Sequence, residues 1–171
     1  MDALKEHTIS FIGLKDGQHE FHFELGREFF DATGEEDLEG GHVAVYVKLN
    51  KSPNLLVANI EEDGTVDLRC ARCNGALAFR LHSDQRQIFR LANEEESDDD
   101  ELVVLEPSAH SINVTHYIYE CLWLALPIRP VHEPGECDPE VVRVLAEGTT
   151  EHIHVPDPRW DALKELKKKR P

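Results

Sequence analysis

Apolar and polar residues alternate strictly over residues 41–48 (GHVAVYVK) and again over 55–60 (LLVANI), which predicts two strands that each present one face to a core. Between them lies NKSPN, whose Asn and Pro are turn formers, so the two strands should form a hairpin. In EEDGTVDLRC the pair Asp63-Gly64 is the strongest kind of short turn signal, and it predicts a turn between the second strand and a third that runs into Cys70. The alternation resumes in ALAFRLHSDQRQIFRLA as one or two more antiparallel strands, around 76–81 and 87–91. Near the N-terminus HTISFIGL and GQHEFHFEL read as a further pair turning at Asp16-Gly17, and ELVVLE reads as a short strand.

Helical spacing comes late. In SINVTHYIYECLWLAL the apolar positions Ile112, Val114, Tyr117, Ile118, Cys121, Leu122 and 124–126 approximate one stripe, with Ser111 or Asn113 as N-cap and Pro127 as the stop. A second, short amphipathic helix should begin near Asp157 or Pro158 and include Trp160, Leu163 and Leu166. The expected fold is α+β: a mostly antiparallel sheet of consecutive neighbours, one long helix packed on it, and a short C-terminal helix. At 171 residues the chain suits a single domain, 1–171, with 127–139 and the acidic run as its linker-like stretches.

Charge refines this outline. With 18 Lys and Arg against 34 Asp and Glu the formal charge is −16, so most of the surface should repel other polyanions. Residues 93–101 (NEEESDDDE) have nothing to bury and read as an acidic flexible loop. Residues 164–171 (KELKKKRP) form a basic tail whose Lys167, Lys168, Lys169 and Arg170 either meet phosphate or complement the end of a helix. No apolar run approaches the roughly 20 residues of a membrane span. The N-terminal MDALKEHTISFIG lacks the pattern of a secretory leader, so the expected location is the cytoplasm, without a membrane partner. Thiols stay reduced there, which makes the four cysteines candidates for ligands, buried side chains or redox groups.

The chemistry concentrates in VDLRCARCNGALAF, where Cys70 and Cys73 form a Cys-x-x-Cys pair. A structural zinc site needs four ligands drawn from thiolate and imidazole, and VHEPGEC offers His132 and Cys137 across a Pro and a Gly that turn the chain. Cys70, Cys73, His132 and Cys137 are therefore one candidate set for a zinc ion. Two other readings stay open: reduced structural thiols, and a redox pair. The redox reading lacks the helix N-terminus that usually lowers a thiolate pKa, although Arg69 and Arg72 offer some cationic help. Cys121, on the helix stripe, should be a small buried hydrophobe. No nucleophile, phosphate-cradling or metalloprotease motif is present, so no catalytic residues are assigned and the chain is not expected to be an enzyme.

CARCNGALAF with EEDGTVDL upstream, then ECLWLALPIRPVHEPGEC, then DPRWDALKELK, resemble in order and spacing the YceD family, the large ribosomal RNA subunit accumulation proteins. The resemblance spans roughly 55–169. It implies a bacterial, non-enzymatic protein of the cytoplasm, needed for accumulation of 23S rRNA, with the cysteines as a metal- and nucleic-acid-binding element. The expected partner is a large-subunit ribosomal protein or pre-ribosomal particle, with rRNA second, because bare RNA is bound by neutralising phosphates. Arg69, Arg72, Arg80, Arg86 and Arg90 around the cysteine hairpin are the interior candidates for such contacts. The alternatives are a zinc-stabilised adaptor for another basic protein, and a Cys-x-x-Cys redox protein.

Overall fold

A computed structural model describes residues 6–34, 38–93 and 102–148. The chain divides into two units, Met1–Cys137 and Asp138–Pro171. The expected helix at Trp160, the basic tail and residues 94–101 of the acidic run lie outside the described residues.

The first unit contains seven strands and two helices among its described residues: β1 (Thr8–Ser10), β2 (Gly17–Leu25), α1 (Arg27–Thr33), β3 (Gly40–Lys51), β4 (Leu55–Arg69), β5 (Ala76–Leu91), β6 (Leu102–Leu105), β7 (Ser111–Asn113) and α2 (Thr115–Ala125). Strands β2 to β6 form one sheet in sequence order, antiparallel except for β6, which runs parallel to β5. The α+β architecture and the mostly antiparallel sheet therefore agree with the sequence pattern. Alternation places Val43, Val45, Val47 and Leu49 of β3 on the same face as Leu56, Ala58 and Ile60 of β4, all essentially inaccessible to solvent. Helix α2 closes that face over β4 and β5 with Ile118, Cys121 and Leu122, while Phe29 and Phe30 of α1 cover it towards β2 and β3.

Three expectations are corrected. Among the described residues no helix is long: α2 spans 11 residues, because Ser111–Asn113 is taken by β7. Asn113 still acts as a cap, its Oδ1 accepting the Thr115 N–H at 2.9 Å. The N-terminal strands do not pair with each other. β1 pairs with β7, burying Ile9 and Ile112 together, and β2 lies along β3 from Gly17↔Lys51 to Leu25↔Val43. The nine-residue β2 finds in β3 a ladder of its own length, which a three-residue strand cannot offer.

Asp63-Gly64 is not a turn. β4 runs unbroken through it, with Gly64 opposite Val43 on one side and Leu81 on the other. A Cβ on Gly64 would lie 2.3 Å from the His42 carbonyl oxygen and 2.6 Å from the Val43 Cα, so the glycine serves a close approach of backbones.

One core position is acidic. Glu62 faces inward between Val45 and Ser83 and is fully buried; the Ser83 hydroxyl donates to Oε2 at 2.9 Å, and Oε1 has no partner. Burial raises the carboxyl from 4.5 to about 7, and the Ser83 bond offsets part of that rise. The folded chain thus holds a proton that the unfolded chain has lost. Stability from this group is full below the unfolded value and is lost as pH rises through the folded one. At about 1.4 kcal/mol per pKa unit the loss approaches 3 kcal/mol. Urea unfolding of wild type and Glu62→Gln from about pH 5 to about pH 8 should therefore show the glutamine variant gaining on wild type by roughly that amount; a difference independent of pH would contradict the assignment.

The described part of the second unit is α3 (Pro139–Gly148). Asp138 caps it, Oδ1 accepting the Glu140 N–H at 2.8 Å, and Pro139 occupies the first turn, where its missing N–H costs nothing. Sequence patterning treated the approach to this helix as linker, although Asp-Pro-Glu is a legible helix start.

Candidate metal centre

The Cys-x-x-Cys pair lies in the connection between β4 and β5. Arg69 ends one strand and Ala76 begins the next, and the six residues between them close on themselves. The Cys70 N–H donates to the Gly75 carbonyl at 2.9 Å and the Asn74 N–H to the Cys70 carbonyl at 2.8 Å. Asn74 takes the left-handed conformation, φ 57°, which asparagine tolerates better than most residues. This knuckle turns both thiols to the same side. The VHEPGEC segment arrives against it, anchored where the Ala71 N–H donates to the Pro130 carbonyl at 2.7 Å.

The result is a compact donor set. Cys70, Cys73, His132 and Cys137 each offer one ligand atom, all within 4.8 Å of one another, and could hold one metal ion. Cys70 Sγ to Cys137 Sγ is 3.8 Å, and His132 Nδ1 lies 3.3 Å from Cys73 Sγ and 3.7 Å from Cys137 Sγ. A tetrahedron with Zn–S near 2.3 Å and Zn–N near 2.05 Å has edges of about 3.8 Å between sulfurs and about 3.5 Å between sulfur and nitrogen. These three separations lie within about 0.2 Å of those edges, whereas a disulfide would need about 2.05 Å. The donor set therefore fits zinc in both chemistry and spacing.

The surrounding groups prepare the same chemistry. Burial alone would raise the Cys70 thiol, but the backbone N–H groups of Cys73, His132 and Arg72, with the Cys73 thiol, hold it at about 5, well below the ordinary 9.0. The Arg72 and His132 amides stand 3.4 and 3.5 Å from this sulfur. His132 is raised first by its bond with the Ala76 carbonyl, 2.9 Å from Nε2. That bond places the ring proton on Nε2 and leaves the Nδ1 lone pair facing the sulfurs, the outer-shell arrangement common at metal-binding histidines. Burial raises Cys137, and the Arg72 guanidinium stands 3.8 Å from its sulfur.

Two contributors escaped sequence reasoning, the Ala76 carbonyl and Gly75. A Cβ on Gly75 would sit 3.4 Å from Cys73 Sγ and 3.6 Å from His132 Cε1, so the glycine leaves room for the ring. A glycine directly after the knuckle was the available signal; the carbonyl had none.

The other candidates are dispersed. Arg69 pairs with Glu39 at the sheet margin, and Arg72 belongs to the knuckle. Arg80, Arg86 and Arg90 follow one another along the outer face of β5, where Arg80 stands 3.9 Å from Asp63 and Arg90 Nε is buried without a partner. Lys167, Lys168, Lys169 and Arg170 lie outside the described residues. Cys121 is buried, and burial pushes its thiol to about 11, partly offset by Ser83, which removes it from any nucleophilic role at neutral pH. Among the described residues no helix is long and apolar enough to cross a membrane.

The family model described as large ribosomal RNA subunit accumulation protein YceD matches residues 58–167, a span that includes the knuckle, α2 and all four ligand residues. No curated protein matches the chain, and neither does any solved structure.

Proposed function

This chain belongs to the YceD family, and from that membership we propose that it is a non-enzymatic factor in large ribosomal subunit assembly that supports accumulation of 23S rRNA. The family match is the observation that carries the reading. In this role Cys70, Cys73, His132 and Cys137 hold one zinc ion as a structural staple. Four protein ligands complete the usual coordination of zinc, whereas catalytic sites keep one position open. A redox role through Cys70 is disfavoured because that thiol is only 1% exposed, which leaves an incoming disulfide no approach to it.

The partner is a basic large-subunit ribosomal protein or the particle that carries it. A net charge of −16 favours a cationic protein over bare RNA. The outer face of the sheet supports the same preference, since Tyr46 is the one Phe, Tyr or Trp among its described residues and base-stacking platforms use several. Leu124 and Ile128, 80% and 107% exposed beside the knuckle, add apolar surface of the kind protein contacts use.

Gradient sedimentation of cell extract tests the proposal. The protein should travel with large-subunit precursors, and its deletion should lower 23S relative to 16S rRNA. Protein confined to the top of the gradient, with an unchanged rRNA ratio, would refute the assembly role and leave an adaptor for an unrelated basic protein as the surviving reading.

A further inference from the structure

β5 spans 16 residues and is paired with β4 from Ala76 to Arg90, but β6 covers its other edge only from Ile88 to Leu91. The bond from the Cys70 N–H to the Gly75 carbonyl fixes the phase of the β4–β5 ladder: odd-numbered residues of β5 direct their N–H and C=O towards β4, and even-numbered ones towards the opposite edge. On that edge the Ala76 carbonyl is taken by His132 and Ile88 by β6. Between them Ala78, Arg80, His82, Asp84 and Arg86 present backbone groups that no described residue hydrogen-bonds. Their side chains are exposed on the outer face of the sheet. Such a row is a template for another strand.

Among the described residues this free stretch runs from 78 to 86, and its midpoint is His82. The charges are arranged about that same residue, with Arg80 two positions before it and Asp84 two positions after. We propose that this edge pairs antiparallel with the same edge of a second copy of the chain, about a two-fold axis at His82, joining two sheets into one. In that register each Arg80 stands opposite Asp84 of the second copy, both within reach of an ion pair, and Ala78 leaves space for the long side chain of Arg86.

Within its own sheet Asp84 is less well placed: it stands directly opposite Glu61, a like-charged neighbour, and no described cation pairs with it. The second copy supplies that cation. An axis at Arg80 or at Asp84 brings like charges face to face, one at Ser83 sets Arg80 against Arg86, and one at Leu81 leaves Asp84 opposite Ala78 without a cation. The pairing is isologous and closed, so it ends at a dimer. The net charge of −16 on each copy opposes association, which makes this a weak dimer, half-populated at about 100 µM chain.

Sedimentation equilibrium across that range should show it. Arg80→Asp alone and Asp84→Arg alone put like charges in register and should each weaken dimerisation by about tenfold or more, and the double exchange should restore it to within about threefold of wild type. His82→Pro should abolish it, since it removes an edge-directed N–H without touching the β4 ladder. Far-ultraviolet circular dichroism identifies any variant that fails to fold, and recovery in the double exchange cannot come from damage. A wild type that stays monomeric at several hundred micromolar, or a dimer indifferent to all these changes, overturns the proposal.

Discussion

Replacing Cys70 by serine is expected to take the zinc content from about one per chain to near zero and to lower the melting temperature by about 10 °C or more. The serine would fit the space and could keep the amide contacts now made by Arg72 and His132. It would not supply a thiolate, and neutral hydroxyl is a poor zinc ligand. The effect should be large because the four ligands come from segments far apart in sequence: Cys70 and Cys73 from the end of the sheet, His132 and Cys137 from the stretch after α2. Apparent zinc affinities of structural sites reach about 10–16 kcal/mol in peptides that fold only with metal. This unit also has a core of its own, so only part of that energy is coupled to folding; a loss of about 3–5 kcal/mol corresponds to the expected shift at about 2–4 °C per kcal/mol.

Elemental analysis of protein prepared without a histidine tag, paired with thermal melts, makes the measurement. Cys121→Ser is the internal comparison, since that thiol is buried under α2 and outside the donor set: its zinc content should stay at wild-type level whatever its stability. Wild-type protein free of metal, or full zinc retained in Cys70→Ser, would reduce the cluster to a set of packed thiols.

The sequence was most informative where local chemistry and global packing agree. Strict alternation located β3 and the start of β4, and Cys-x-x-Cys with His132 and Cys137 named the donor set that the fold brings together. It misled where a local signal had two meanings. Asp-Gly is a turn signal in a free hairpin, yet inside a strand with neighbours on both sides the same glycine admits a close backbone. Residues 111–113 fit a helical stripe equally well, and a distant partner strand, Thr8–Ser10, decided otherwise. Helix α1 has only seven residues, too few for periodicity to register, although Gly34 ends it in the left-handed conformation that such a position favours. What a single sequence does not carry is which distant strand a short segment will meet.

The second large effect is expected at that glycine. Gly64→Ala should destabilise the fold by about 3 kcal/mol or more, although it adds a single methyl group to a strand. The new carbon would lie 2.3 Å from the His42 oxygen, 2.6 Å from the Val43 Cα and 3.0 Å from Val43 Cγ2. The first two are backbone atoms of β3, and no side-chain rotation can relieve them. Nor can β3 retreat easily, because Val43 is paired with Leu25 of β2 on its far side, and both side chains are fully buried. A Cβ on Gly41, two rungs along, would lie 2.6 Å from the Thr65 oxygen, so the two strands are pinched together at both positions. Gly13→Ala supplies the contrast, since a Cβ there meets nothing within 4 Å and should change stability by less than about 0.5 kcal/mol. Urea midpoints of the two variants should separate them clearly; Gly64→Ala within about 1 kcal/mol of wild type would mean that the strands part at little cost. The same variant also distinguishes damage to the frame from damage to the ligands. Gly64 lies outside the donor set, so below its melting transition the protein should still bind one zinc, and its loss of metal should track its unfolding rather than precede it.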